Sequence, residues 1–135
     1  AAAAVSIEAL KSLRLGVQVG STSYTAATSV DGINPVAVYN SNGDAKMALS
    51  SGEIDALVAD LPTAFAVANE LRGGIIVGQL PAAADDMEQF GIVLNKGSAL
   101  TRCVSAAVDA LRSDGTLATL QRKWLAEAGR APMLR

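Results

Sequence analysis

The chain of 135 residues contains no histidine and a single cysteine, Cys103. Without histidine, the usual general base and the commonest metal ligand are both missing. One cysteine can form neither an intrachain disulfide nor a thiolate cluster for zinc. Aromatic residues make up only 4%, and the 11 Lys and Arg are scattered, with a net charge of −2. No basic run exists to track a phosphate backbone, which argues against a nucleic-acid partner. No apolar run approaches the roughly 20 residues that span a bilayer. Residues 1–4 are alanines without the charged start and apolar centre of a signal sequence, so the start reads as a processing boundary. No catalytic residue, metal or cofactor is expected.

What remains is apolar and regular. Half of the residues are hydrophobic and only 18% are charged, a balance that excludes disorder and suits one compact core. The organising stretch is Leu13–Tyr24. Leu13, Leu15, Val17 and Val19 alternate as in a strand, Gly20 permits a sharp turn, and Ser21, Thr22 and Ser23 open a helix. Each of these hydroxyl residues can cap, and the N–H groups there can meet an anion.

The rest follows the same rhythm. Ser6–Lys11 reads as a short helix or turn. The helix after Gly20 runs to about Ser29 and stops at Asp31-Gly32, and Val36–Tyr39 form a second strand. Ser41–Asp44 starts a helix that ends at Gly52, and Ile54–Ala59 are a third strand. Asp60 precedes a helix opened by Leu61-Pro62 and closed by Gly73-Gly74. Ile75–Val77 are expected as a fourth strand and Phe90–Leu94 as a further one, separated by a connector over Pro81–Gln89. Ser98 is expected to cap a helix with apolar positions Leu100, Cys103, Val104, Ala107, Val108 and Leu111, and Thr116 a last one lined by Leu117, Leu120, Trp124 and Leu125. Cys103 and Trp124 are expected to be buried, and Asp55 to be solvated.

Strands alternating with helices predict an α/β fold, a mostly parallel sheet with helices on both faces. Ligands of such sheets sit beyond the carboxyl ends of the strands, the edge that carries both Gly20–Ser23 and Asp60. Both features have a plain reading too: a capped strand–helix turn, and a helix N-cap. The turn lacks the lysine that a nucleotide P-loop requires.

Five runs, Gly16–Ser23, Gly52–Pro62, Phe90–Gly97, Leu111–Leu117 and Lys123-Trp124, occur in an order that resembles the second half of a family 3 periplasmic solute-binding protein of amino-acid ABC importers. The resemblance covers Ile7 to Ala126. It implies a type II periplasmic binding protein fold, with lobe two over residues 5–81, a connector over 82–89, and over 90–135 a strand and two helices returning to lobe one. It implies a free amino acid bound between lobes, with the α-carboxylate at Gly20, Ser21, Thr22 and Ser23, the α-ammonium at Asp60 and the ligand side chain near Gln18. It further implies a membrane permease as partner and a periplasmic or extracellular location, with a lipoprotein anchor as one option. A sensor lobe and a cyclohexadienyl dehydratase-like enzyme are the alternatives. Most of lobe one and its carboxylate-binding arginine have no counterpart here, so a missing segment or a second copy is expected to complete the cleft. Binding by this chain alone is then expected near millimolar, about −4 kcal/mol.

Overall fold

The computed structural model describes residues 6–81, 90–126 and 132–135. They form two units: residues 6–81 with 132–135, and residues 90–126.

The first unit is an α/β layer structure built on a three-stranded parallel sheet of β1 (Leu15–Gln18), β2 (Ala37–Tyr39) and β3 (Ala56–Leu57), in the order β2-β1-β3. The register sets Gly16 opposite Ala37 on one side and Leu57 on the other. Between strands run α2 (Thr22–Thr28) and α3 (Asn42–Ser51), after a short α1 (Ile7–Leu10), and α4 (Leu61–Glu70) follows β3. Helices lie on both sides of the sheet, as expected. Strand order 2-1-3 requires the chain to reverse direction across β1, which sends successive right-handed crossovers to opposite faces.

Each helix start has a local cause. Ser6, Ser21, Ser41 and Asp60 are N-caps whose side chains accept from the N–H three residues on, and Gly52 closes α3 in the left-handed region at φ 77°. Pro62 falls in the first turn of α4, where no helical N–H is lost. α3 packs across all three strands and α2 against β1. Among the described residues the buried apolar core is Leu10, Leu15, Val17, Ala27, Ala45, Ala48, Ile54 and Leu134. Gly16 belongs to it by having no side chain. A Cβ there would overlap Ile54 Cδ1 and approach Tyr39 Cε2 at 3.1 Å. Lys46 on α3 pairs with Glu70 at the end of α4.

The fourth strand expected at Ile75–Val77 is not formed. The parallel bridge of this region lies further on, between Gln79 and Met133, and Ile75 is exposed. An apolar β-branched run becomes a strand only where a neighbour offers it a ladder, and sequence cannot show the neighbour. The connector expected over Pro81–Gln89 lies, after Pro81, outside the described residues.

The second unit holds α5 (Thr101–Ser113) and α6 (Thr116–Gln121), continued by a π-helical turn (Arg122–Ala126). Phe90–Leu94 is no strand here, and Val93 is 95% exposed. The returning strand is therefore corrected to an unpaired stretch, for the same lack of a neighbour. The cap positions also shift. Ser98 Oγ accepts from Leu100 N–H at 3.3 Å, but the N-cap of α5 is Leu100. At α6 the N-cap is Gly115, at φ 80°, and Asp114 Oδ1 accepts from Thr116 N–H at 2.8 Å. Cys103 is exposed rather than buried, and Trp124 is 62% exposed, with Lys123 Nζ 5.1 Å from its ring centroid. Periodicity identified the apolar face of α5 but carried no information about what covers it.

Candidate functional site

In a parallel sheet every strand ends at the same edge. β1 ends at Gln18 and the β3 ladder with Val58, whose N–H donates to Gly16 O at 2.9 Å. Gly20 and Asp60 each follow two residues later, so the two predicted groups project from neighbouring strands at one edge. With order 2-1-3 the crevice between β1 and β3 is the topological switch point, where open α/β sheets bind ligands.

The turn after β1 is held by its own side chains. Gly20 adopts φ 65°, and a Cβ there would meet nothing within 4 Å, so glycine is required by backbone conformation, not by space. Ser21 Oγ donates to Gln18 O at 2.8 Å and accepts from Tyr24 N–H at 3.1 Å. Its single hydroxyl proton is thereby committed, leaving none to donate to an anion. Thr22 and Ser23 stand at the first two positions of α2, where N–H groups have no acceptor within the helix. Among the described residues their hydroxyls have no hydrogen-bond partner. Gln18 is half-buried at the end of β1.

Asp60 is exposed and caps α4. Its Oδ1 accepts from Thr63 N–H at 3.0 Å and its Oδ2 from Thr63 Oγ1 at 2.7 Å. Each carboxylate oxygen keeps a lone pair for a further donor, and Thr63 fixes the direction in which it points. The sequence reading did not single out Thr63, although Asp-x-x-Thr at a helix start is a local signal for this contact.

The opposite edge carries an ion pair. Arg14, before β1, and Asp55, before β3, meet in a two-pronged contact, Nε to Oδ2 at 2.9 Å and Nη2 to Oδ1 at 2.7 Å. Arg14 N–H adds a bond to Oδ2 at 2.9 Å and its guanidinium a bond to Gly52 O at 2.9 Å. The side-chain and backbone bonds from Arg14, with its charge, hold the Asp55 carboxyl down at about 2, below its ordinary 3.8. Asp55, expected to be solvated, is thus a paired group, because parallel neighbours bring residues 41 apart level with each other.

Tyr39 and Glu53 flank a shallow groove with Asp44, Met47, Ala48 and Ser51. The Tyr39 hydroxyl donates to Glu53 Oε1 at 3.0 Å, and partial burial and the carboxylate raise its pKa. That groove belongs to α3 and does not include the switch-point residues. Among the described residues no cluster of three or more acidic, Cys or His side chains could hold a metal, and no helix is long and apolar enough to cross a membrane.

The open parallel sheet thus carries a hydroxyl-rich turn and an acidic cap at its switch point, the place where open α/β sheets bind small ligands. Comparison with known proteins adds to this. Over 122 residues the chain is 38% identical to the L-arginine-binding protein of Pseudomonas aeruginosa, covering 85% of this chain and 47% of that protein. Over 90 residues it is 31% identical to the ABC transporter glutamine-binding protein GlnH of Bacillus subtilis, covering 66% of this chain and 32% of that protein. These two curated homologues are family 3 amino-acid solute-binding proteins of ABC transporters, and the chain spans about half the length, or less, of the relatives it matches. Both relatives are named as binding proteins, not enzymes. No protein-family model matches the chain, and no solved structure does.

Proposed function

We propose that this chain is the ligand-gripping half of an extracytoplasmic amino-acid-binding protein that delivers its solute to an ABC permease. The observation that carries the reading is the meeting of Gly20–Ser23 and Asp60 on one switch-point edge, in a chain related to amino-acid-binding proteins. The α-carboxylate of a free amino acid sits against the N–H groups of Thr22 and Ser23 and the Thr22 hydroxyl, with Gly20 shaping the turn. Ser21 contributes by fixing that turn, since its hydroxyl is already committed to Gln18 and Tyr24. Asp60 receives the α-ammonium, and Gln18 lies toward the ligand side chain.

In this reading residues 5–81 are lobe two, 82–89 the connector and the chain from residue 90 a returning piece of lobe one, except that residues 132–135 pair back onto the first unit. The facing wall of the cleft and a carboxylate-binding arginine come from the remainder of lobe one or from a second copy. Arg14 cannot fill that role, being held by Asp55 at the opposite edge. One wall leaves the ligand wet, so binding by this chain alone is weak, near millimolar and about −4 kcal/mol. The protein works outside the cytoplasmic membrane, periplasmic or extracellular, with lipoprotein anchoring as a compatible arrangement.

The test is an amide-resolved NMR titration with pools of free amino acids at millimolar concentration. Shifts confined to Gln18–Ser23 and to Asp60–Thr63 are expected. A well-folded sample that shows no shift with any pool refutes the reading and leaves Ser21 and Asp60 as caps.

A further inference from the structure

The last described residues return to the first unit. Gln79 N–H donates to Pro132 O at 2.8 Å, and Leu134 N–H donates to Gln79 O at 2.9 Å, closing the parallel bridge of Gln79 and Met133. Ile7 N–H, at the start of α1, donates to the main-chain oxygen of Arg135 at 3.1 Å. The side chains alternate as in a strand. Met133 is exposed, and Leu134 is only 6% exposed. Leu134 fits because residue 78 is glycine: a Cβ on Gly78 would overlap Leu134 Cδ2 and Cγ and stand 3.0 Å from Pro132 O.

We propose that residues 132–135 are a clasp that fastens the first unit. The Leu134 side chain seats in the notch over Gly78, and main-chain bonds tie residue 79 and the start of α1 to the same short segment. The chain leaves the first unit beyond Pro81 and has returned to it by Pro132, so in chain order the second unit is an insertion in the first. Release of the clasp frees α1 and residues 78–80 together. This inference does not rest on the solute-binding reading and stands or falls without a ligand.

Hydrogen exchange resolved at single amides of the full chain tests it. Leu134→Ala is expected to speed exchange at Ile7 and Gln79 at least about tenfold while leaving α5 amides unchanged. Gly78→Ala is expected to do the same by unseating Leu134, and the double variant to exchange no faster than Leu134→Ala alone, because both changes release one contact. Met133→Ala is expected to leave the parent pattern. Parent-like protection of Ile7 and Gln79 in Leu134→Ala overturns the proposal, as do additive effects in the double variant or equal loosening by Met133→Ala. If Leu134→Ala unfolds the first unit altogether, Leu134→Val reads the same amides, and parent-like protection there overturns it too.

Discussion

The two edges of the β2-β1-β3 sheet are built from unlike chemistry. Where the strands begin, Arg14 and Asp55 satisfy each other through two side-chain contacts, and further bonds reach Arg14 N–H and Gly52 O. Where the strands end, Thr22 and Ser23 offer hydroxyls without partners among the described residues, and Asp60 offers a carboxylate aimed by Thr63. Parallel pairing makes this separation possible, since it gathers every strand start at one edge and every strand end at the other. A group matched within the sheet serves the fold, and a group left with capacity can serve a ligand.

The comparison can be broken most severely at the point both edges share. Gly16→Val drives a side chain into Ile54 and Tyr39 and is expected to cost about 3 kcal/mol, read as a lower urea midpoint for the first unit. Asp60 separates capping from binding. Asp60→Asn keeps a capping oxygen, so the midpoint should hardly move, while amino-acid binding in the NMR titration weakens about tenfold or more through loss of a charge-assisted bond. Asp60→Ala should add a stability loss of about 1 kcal/mol. The neighbouring hydroxyls should split the same way: Ser21→Ala lowers stability by about 1 kcal/mol, whereas Thr22→Val weakens binding about fivefold at unchanged stability.

The smallest effect belongs to the closed edge. The carboxyl of Asp55 titrates at about 2 in the fold against an ordinary 3.8, so its contribution is fully present above about pH 4 and is lost as the pH falls through about 2. Arg14→Met should flatten the stability profile between those limits, and NMR of the Asp55 carboxyl should show its titration move up toward 3.8. Raised salt should reduce the difference, because both side chains are solvent-exposed.

What could be read beforehand was whatever a few neighbouring residues decide. Ser41, Gly52 and Asp60 marked helix ends through local hydrogen bonds and a left-handed glycine, and Leu15–Gln18 declared itself as a strand. Ile75–Val77 and Phe90–Leu94 have similar composition but no ladder beside them in the structure. The Arg14–Asp55 contact was hidden in the sequence separation, although both residues lie just before strands, which is the signal that could have paired them. Candidate positions Gln18, Gly20–Ser23 and Asp60 were accessible because strand ends and caps are local. That Ser21 is spent on the turn while Thr22 is not required coordinates.

The bond between Ile7 and Arg135 also sets a schedule for synthesis. The first unit contains both the opening helix and the closing clasp, so it can be finished only after the whole second unit has been made. At translation rates of roughly 5–20 residues per second, the stretch from residue 82 to 131 takes about 3–10 s. For that interval the residues of the Gly78 notch have been made and the Leu134 that fills it has not.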